Sequence, residues 1–313
     1  MPKVSVIIPT FNRAQSVGKA INSVLKQTYL DFETIVVDDG STDSTRITVD
    51  SYGDSVKYLY QANSGPGSAR NIGISNSTGE YIAFLDSDDF FGEQNLQKKV
   101  SILEEQSQIG WIYSDWQFVD EQGNFLEKGS VQHDYSKKQL SGNIFAELFY
   151  KRNFITPSTV IVRRSVLDHV GYFDPLIPSQ EEYDLWLRIS AKYSVHYINE
   201  TLVFRTIHSK MLSSDFGKWA HGNALIIDKI ETILPNDFPV SKFVLNRMHA
   251  DKHTFLGRDY IERGELRRAL NAYWKSLRLF PFQKRVYWLI FLAFARALTA
   301  YFYPSTTSEK GPR

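Results

Sequence analysis

Three acidic side chains follow a short apolar segment in the first third of the chain. Asp86, Asp88 and Asp89 come directly after Phe84 and Leu85. Adjacent carboxylates repel one another unless a positive charge neutralises them. Carboxylate oxygens, with water and phosphate oxygens in the remaining positions, are the ligands that Mg²⁺ and Mn²⁺ prefer. The segment therefore predicts a divalent metal site, and a solvated acidic turn is the alternative interpretation.

Polar residues also follow the first two predicted strands. Pro9, Thr10 and Asn12 end the first apolar segment, and Asp38 and Asp39 end the second. In an open α/β sheet, ligands bind beyond the carboxyl ends of the strands, so these side chains are expected to meet in one crevice. Two carboxylates there can accept hydrogen bonds from a base or from ribose hydroxyls. The alternative is a turn followed by a helix cap.

A loop rich in glycine precedes Arg70. Residues 63–71 read Asn-Ser-Gly-Pro-Gly-Ser-Ala-Arg-Asn. Glycine lets backbone approach a ligand closely, and an arginine can contact phosphate oxygens. The Gly-Lys-Ser/Thr ending of NTPase phosphate loops is missing, and no G-x-G-x-x-G follows the first strand. These features argue against a P-loop NTPase and against a nicotinamide or flavin enzyme.

A second acidic group, Glu181, Glu182 and Asp184, lies far along the chain at the start of a predicted helix. Carboxylates near a helix N-terminus often serve only to balance the helix dipole. The alternative is a general base, since a carboxylate beside the apolar rings of Tyr183 and Trp186 has its pKa raised towards the working pH. Both interpretations stay open from these residues alone.

The elements that must position these residues follow from the periodicity of the chain. From residue 4 to about 106, short apolar runs alternate with longer amphipathic segments, which is typical of strand–helix units and a mostly parallel sheet. A mixed sheet is expected after residue 110. We therefore predict an α/β domain over residues 1–214, an all-helical region over 215–303 and a flexible tail over 304–313. The predicted strands are 4–8, 34–37, 56–60, 81–85, 111–119, 124–127, 158–163 and 194–197.

Composition limits the classes of function. The chain has 313 residues, 42% of them hydrophobic, and a formal net charge of +1. No overall field attracts nucleic acid, so no nucleic-acid partner is expected. Cysteine is absent, which excludes a cysteine nucleophile and thiolate metal sites. The start of the chain has too short an apolar run for a signal peptide, so we expect a cytoplasmic protein.

Taken together and in order, the motifs resemble the inverting glycosyltransferase family 2, whose members share the GT-A fold. The resemblance covers about residues 3–212. It implies that Asp39 contacts the base of a nucleoside-diphosphate sugar, with UDP as the expected nucleotide. Asp86-Ser87-Asp88 is similar to the metal-binding D-x-D motif, with Mn²⁺ or Mg²⁺ bound by Asp88 and Asp86 and a further contact from His208. The implied nucleotide-sugar-binding set is Pro9, Thr10, Asn12, Asp38, Asp39, Arg70 and Asp86.

The resemblance also implies a reaction. The family pattern at the catalytic base is Glu-Asp, whereas this chain has Glu181-Glu182, so the base is one of Glu181, Glu182 and Asp184. Direct displacement would move one sugar to an acceptor hydroxyl with inversion. The Gln-x-x-Arg-Trp motif of processive synthases is absent, so single-sugar transfer to a glycan or lipid-linked acceptor is expected, in polysaccharide or glycoconjugate synthesis. A nucleotidyltransferase and a non-catalytic nucleotide-sugar-binding protein are the alternatives.

The C-terminal region carries an asymmetric charge. Residues 247–296 hold eleven Lys and Arg against four acids, and residues 286–298 are mostly apolar. A basic surface beside an aromatic helix suits peripheral contact with the inner face of a membrane. A helix that packs on the catalytic domain with a solvated basic face fits equally well.

Overall fold

The computed structural model describes residues 1–126, 140–151, 153–207, 215–236 and 238–302, with side chains up to residue 295 in the last range. The chain divides into two compact units, Met1–Leu212 and Ser213–Arg313. His208, the predicted boundary at residue 214 and the predicted tail over residues 304–313 lie outside the described residues.

The first unit is built on one mixed, mostly parallel sheet of eight strands. The strand order is β3-β2-β1-β4-β7-β6-β8-β5, and β1 is parallel to both of its neighbours. Strands β7 and β5 run antiparallel to their neighbours, and β6 is parallel to β8. The strands are β1 Val4–Thr10, β2 Phe32–Asp38, β3 Lys57–Tyr60, β4 Tyr81–Phe84, β5 Asp89–Phe91, β6 Ile109–Val119, β7 Val160–Arg163 and β8 Ser194–Thr206.

Seven helices flank this sheet in the described part of the first unit. The side chains of β1 are buried along its whole length, as expected for a central strand covered on both faces. Gly73 allows one helix to lie close to β1, because a Cβ atom there would be 2.4 Å from Ile7 Cγ2. The helices are α1 Val17–Leu25, α2 Thr45–Asp50, α3 Pro66–Ser75, α4 Asn95–Glu105, α5 Phe145–Lys151, α6 Arg164–Val170 and α7 Glu181–Ser190.

The parallel strands bring their carboxyl ends to one edge of the sheet. Thr10 at the end of β1 is paired in register with Asp38 at the end of β2. The next residue, Asp39, donates its backbone N–H to the Thr10 carbonyl at 2.8 Å. On the other side of β1, Ile7 is paired with Phe84, two residues before Asp86. The loops that carry the predicted site residues therefore begin beside one another, as the α/β rule requires.

Two local predictions were wrong. The strand predicted over residues 124–127 is not formed in its described part, residues 124–126, since only an isolated bridge joins Val119 to Phe125. The strand predicted over residues 194–197 instead continues through Thr206, and it follows β6 through several register shifts.

The second unit is helical in its described part. Its helices are α8 Phe216–Ile233, α9 Lys242–Glu262, α10 Leu266–Leu279 and α11 Lys284–Phe302. Gly257 brings α9 close to α10, because a Cβ atom there would be 2.4 Å from the Tyr273 ring. A small core of Ala269, Tyr273, Leu277 and Val286 joins α10 to α11. Within the described residues, none of the helices combines the length and apolar character that crossing a membrane requires.

Candidate active site

Asp39 orders the loop that leads into α3. Its carboxylate accepts hydrogen bonds from the backbone N–H groups of Ser64 at 2.8 Å and Gly65 at 2.9 Å, and from the side chain of Gln61. Gly65 has φ +90°, a conformation that favours glycine, and it is the residue from which α3 begins. The structure thus gives Asp39 a loop-ordering role, and the predicted contact with a nucleotide base stays a prediction.

Asp38 is buried and also has partners within the protein. Oδ1 accepts from the backbone N–H of Ser41 at 2.8 Å, and Oδ2 accepts from the Tyr58 hydroxyl at 2.9 Å. Burial and this hydrogen bond to Asp38 raise the pKa of Tyr58 well above its usual range. Asp38 therefore stabilises the turn after β2, and its predicted role at a nucleotide is untested.

The loops after β1 and β2 are held together by Asn12. This residue has a left-handed backbone, φ 51°, and its N–H donates to Ser41 Oγ at 2.8 Å. The Thr42 N–H in turn donates to Asn12 Oδ1 at 2.8 Å. Thr10 is buried beside this contact, and its hydroxyl has no hydrogen-bond partner among the described residues. Pro9 is buried within β1, where it is paired with Val37.

Arg70 joins the two groups of acids that the sequence singled out. Its Nη2 donates to Asp86 Oδ1 and its Nη1 donates to Glu181 Oε1, both at 2.7 Å, and the guanidinium lies 5.3 Å from the centre of the Phe173 ring. Burial lowers the pKa of Arg70, but Asp86 and Glu181 outweigh that effect and raise it. Both terminal nitrogens of Arg70 thus contact protein carboxylates, and the predicted contact with a diphosphate stays a prediction.

Each of the three carboxylates in the segment Asp86–Asp89 lies beside an arginine. The sequence argument that these acids need a metal ion to neutralise them is therefore incomplete, because guanidinium groups from three other parts of the unit supply positive charge. The pairs are Asp86 with Arg70 at 2.7 Å, Asp88 with Arg13 at 3.3 Å, and Asp89 with Arg205 at 3.7 Å.

The same segment retains oxygen atoms that a cation could use. The side chains of Asp86 and Asp88 are 28% and 24% exposed, whereas Asp89 is buried. No group of three or more acidic, histidine or cysteine side chains fit to bind a metal occurs within the described residues, a part of the chain that does not include His208. Two carboxylates nevertheless suffice for Mg²⁺ or Mn²⁺ when a diphosphate supplies other ligands. Asp86 and Asp88 fit that requirement.

Ser158, which the sequence analysis missed, makes hydrogen bonds to two residues of this acidic segment. Its hydroxyl accepts from the Asp86 N–H at 3.1 Å and donates to Asp89 Oδ2 at 2.7 Å. Burial and the charges of Asp86 and Asp88 raise the pKa of Asp89 to about 8 against the opposing effect of Arg205.

The turn that carries Ser158 is held by a buried lysine. Lys99 Nζ on α4 donates to the Thr159 carbonyl at 2.6 Å, and burial lowers the pKa of Lys99 to about 7. Neither the lysine nor Ser158 belongs to a motif, so only the tertiary structure could reveal this support.

The three acids at the start of α7 have different surroundings. Glu181 is buried against Arg70. Asp184 is fully buried, and Arg188 donates to it from Nε at 2.9 Å and from Nη2 at 2.7 Å. Glu182 is half-buried and has no arginine partner within the described residues. Of the three, Glu182 is the acid that a substrate can reach.

The pKa of Glu182 is raised to about 8. Burial is the main cause, followed by the negative charge of Glu181, while Arg70 opposes both. Asn153 Nδ2 donates to Glu182 Oε1 at 3.0 Å, so this amide, which the sequence analysis also missed, orients the carboxylate. A half-buried carboxylate with a raised pKa and a fixed orientation has the properties of a general base.

Comparison with known proteins identifies the family to which this chain belongs. Residues 5–171 match the family model described as Glycosyl transferase family 2, which is more than half of the chain. The chain belongs to glycosyl transferase family 2. The family predicted from the motifs is confirmed, and the matched range contains the D-x-D segment and Arg70 but ends before Glu181.

Two relatives are similar to this chain over a longer range than the family model covers. An uncharacterized glycosyltransferase of Rickettsia prowazekii is 34% identical over 209 residues, covering 66% of this chain and 65% of the relative. The chain therefore matches slightly less than two thirds of that protein's length. The UDP-Glc:alpha-D-GlcNAc-diphosphoundecaprenol beta-1,3-glucosyltransferase WfgD of Escherichia coli is 27% identical, covering 80% of this chain and 95% of the relative.

Solved structures confirm the fold. TarS 1-349 of S. aureus in complex with UDP-GlcNAc has a TM-score of 0.67 and 21% identity, covering 96% of this chain and 89% of the other. The mannosyltransferase PcManGT of Pyrobaculum calidifontis, in complex with GDP-Man and Mn²⁺, has a TM-score of 0.57 and 18% identity, covering 96% and 81%. The expected mixed, mostly parallel α/β sheet of the GT-A type is therefore confirmed.

The buried contacts of Arg70 lead to a stability prediction. In Arg70→Met, Asp86 and Glu181 lose their shared partner, so the free energy of unfolding should fall by about 3–5 kcal/mol. Arg70→Lys should also be destabilised, because an ammonium group cannot reproduce the planar fork that binds both carboxylates. Urea unfolding followed by circular dichroism measures both changes.

The matched control is Arg46→Met, which breaks an exposed pair with Asp50. This substitution should change the free energy of unfolding by less than about 0.5 kcal/mol. Equal stabilities for the Arg70 and Arg46 variants would contradict a structural role for the buried contacts.

Proposed function

We propose that the protein is an inverting glycosyltransferase that moves one sugar from a nucleoside-diphosphate sugar to an acceptor hydroxyl. The observation that carries the proposal is the contact of one guanidinium, Arg70, with both Asp86 and Glu181. This contact brings the D-x-D segment close to the start of α7, where Glu182 lies. A donor held at Asp86 would thus have its reacting carbon near a carboxylate able to accept a proton.

Glu182 is the proposed base. Its carboxylate removes the proton from the acceptor hydroxyl, and the resulting oxygen forms a bond to the anomeric carbon. The bond between that carbon and the diphosphate oxygen breaks on the opposite face, so the configuration inverts and the nucleoside diphosphate leaves with the electron pair. Asn153 donates to Oε1 of Glu182 and so orients the carboxylate that would accept the proton. Glu181 and Asp184 act through their arginine partners as positioning residues.

A divalent cation is also part of the proposal. Asp86 and Asp88 would hold Mn²⁺ or Mg²⁺, which when bound stabilises the negative charge on the leaving diphosphate. Support comes from the partial exposure of both carboxylates and from the Mn²⁺ named in the complex of PcManGT. Arg70 and Arg13 place further positive charge beside the same oxygens. A contribution from His208 stays a prediction.

The substrates are proposed by analogy. A UDP-sugar is favoured because TarS was solved with UDP-GlcNAc and the Escherichia coli relative is named for UDP-Glc, although PcManGT was solved with GDP-Man. A glycan or a lipid-linked glycan is the proposed acceptor, in polysaccharide or glycoconjugate synthesis, since the name of the E. coli relative gives a diphosphoundecaprenol acceptor. A cytoplasmic location at the inner face of a membrane also stays a prediction.

The proposed function predicts the release of free nucleoside diphosphate. Purified protein should release UDP from at least one sugar in a panel of UDP-, GDP- and dTDP-sugars with Mn²⁺ or Mg²⁺. An accepted glycan should gain one residue with the opposite anomeric configuration by NMR. Pyrophosphate formed from an NTP and a sugar phosphate would instead indicate a nucleotidyltransferase. Tight donor binding with no product would indicate a non-catalytic binding protein.

The pH dependence of kcat/KM for sugar transfer should follow the ionisation of Glu182. A base must be ionised, so kcat/KM should rise with pH through the pKa of Glu182, about 8 in the free protein. Glu181→Gln removes a negative charge that helps raise this pKa, while Arg70 and Asp86 remain. The rising part of the profile at low pH, its acid limb, should therefore move to lower pH. Glu182→Gln should lower kcat by roughly 10²–10⁴-fold.

The matched control for the pH profile is Glu80→Gln, at an exposed glutamate that pairs with Lys3. Its acid limb should coincide with that of the parent. An acid limb that Glu181→Gln leaves unmoved would exclude Glu182 as the titrating group.

Asp88 should be needed for turnover but not for folding. Asp88→Asn should lower kcat by roughly 100-fold or more and raise the Mn²⁺ concentration for half-maximal rate, since one proposed ligand is lost. The partly exposed pair with Arg13 predicts a change in unfolding free energy below about 1 kcal/mol. Asp54→Asn, at an exposed aspartate, is the control. Parent-like turnover by the Asp88 variant would remove it from the metal site.

A further inference from the structure

Helix α11 has one face that packs within its own unit. Val286 and Ala293 are buried, and Leu289 and Ile290 are half-buried. Leu289 and Ile290 are each three or four residues from Val286 and from Ala293, so the four positions form one stripe along the helix. Val286 belongs to the small core shared with Tyr273 of α10, and Leu289 and Ile290 pack against that core. This face is therefore buried by contacts within the second unit, and packing on the catalytic domain, the alternative from the sequence, stays a prediction.

The other face of α11 exposes large apolar side chains. Trp288 is 59% and Phe291 58% exposed, and their rings stack 5.3 Å apart. Isolated exposed apolar residues are common, but a group of this size on one helix marks an interaction surface. The exposed face is formed by Tyr287, Trp288, Phe291, Leu292 and Phe294.

The apolar surface continues into the segment before α11. Phe282 is 85% exposed, and its ring is 6.4 Å from that of Phe280. Phe280 contacts Phe243 at the start of α9, with ring centres 5.0 Å apart, and Phe243 is 59% exposed. Aromatic side chains at the border between water and hydrocarbon are typical of proteins that bind the membrane interface.

Charge identifies the kind of partner. Residues 266–302 contain seven Lys and Arg and no Asp or Glu. On α10, Trp274 is 55% exposed and lies between exposed Arg267 and Arg278 along one stripe of the helix. Lys284 and Arg285 at the start of α11 are also exposed, whereas Arg268 is paired with Glu265. Such a surface attracts anionic headgroups.

We propose that α10 and α11 form a surface that binds the interface of a bilayer containing anionic phospholipids. Helix α11 would lie in the plane of the interface, with Trp288 and Phe291 among the acyl chains and Lys284 and Arg285 at the phosphates. A second copy of the chain is a poorer partner, because these two helices offer no acid to oppose their own basic residues. The surface uses residues of the second unit alone, so it goes beyond sugar transfer and can be tested without it.

Vesicle co-sedimentation of the full chain tests this surface. The parent protein should bind vesicles of 70:30 phosphatidylcholine and phosphatidylglycerol more tightly than pure phosphatidylcholine, and less tightly in high salt. Trp288→Ala combined with Phe291→Ala should weaken binding roughly tenfold or more. Arg278→Gln combined with Lys284→Gln and Arg285→Gln should remove the preference for the anionic vesicles. Circular dichroism and urea unfolding establish that each variant is folded.

The control removes exposed apolar side chains from the first unit. Leu30 and Ile47 are 82% and 73% exposed, so Leu30→Ala combined with Ile47→Ala should leave vesicle binding unchanged. Parent protein that does not sediment with anionic vesicles would overturn the proposal, as would parent-like binding by the folded Trp288 and Phe291 variant. A parent dimer that this variant makes monomeric, with neither protein binding vesicles, would show that a second copy covers the face instead.

Discussion

A buried positive charge between two carboxylates constrains the arrangement of this site. Removing a guanidinium from water is costly unless its charge is balanced, and Asp86 and Glu181 balance that of Arg70 through its two terminal nitrogens. One of these acids follows β4 and the other begins α7, far apart in the sequence, so the same contacts fix how the strand ends face the start of that helix. Asp39 contributes from the other side by ordering the loop from which the helix carrying Arg70 begins.

Three arginines also balance the negative charge of the acidic segment without any ligand. Asp86, Asp88 and Asp89 would repel one another in isolation, yet each lies beside a different guanidinium. Groups fixed in this way need little reorganisation when charge develops on a leaving group, which is the main advantage of a folded site over water. Glu182 has no arginine pair within the described residues, and burial together with the charge of Glu181 raises its pKa against the opposing effect of Arg70.

Much of the fold could be predicted from the sequence, because buried parallel strands and amphipathic helices have clear periods. The acidic segments were recognisable for a similar reason, since polar residues at strand ends are local in sequence. The pairing of Arg70 with Glu181, 111 residues apart, was not predictable, because no local pattern encodes a tertiary contact. The same holds for Asn153 and Ser158. The sequence left three candidates for the base, and Glu182 is the one proposed because Glu181 and Asp184 are buried against arginine partners.

Lys99, in the core, is linked by hydrogen bonds to the acidic residues of the site. Its ammonium group holds the carbonyl of Thr159, and the neighbouring Ser158 links the backbone of Asp86 to the side chain of Asp89. A substitution in the interior of α4 would therefore displace the acids at the sheet edge through a short series of hydrogen bonds. In a screen for inactive variants, this lysine would be recovered with the carboxylates, although no substrate can touch it.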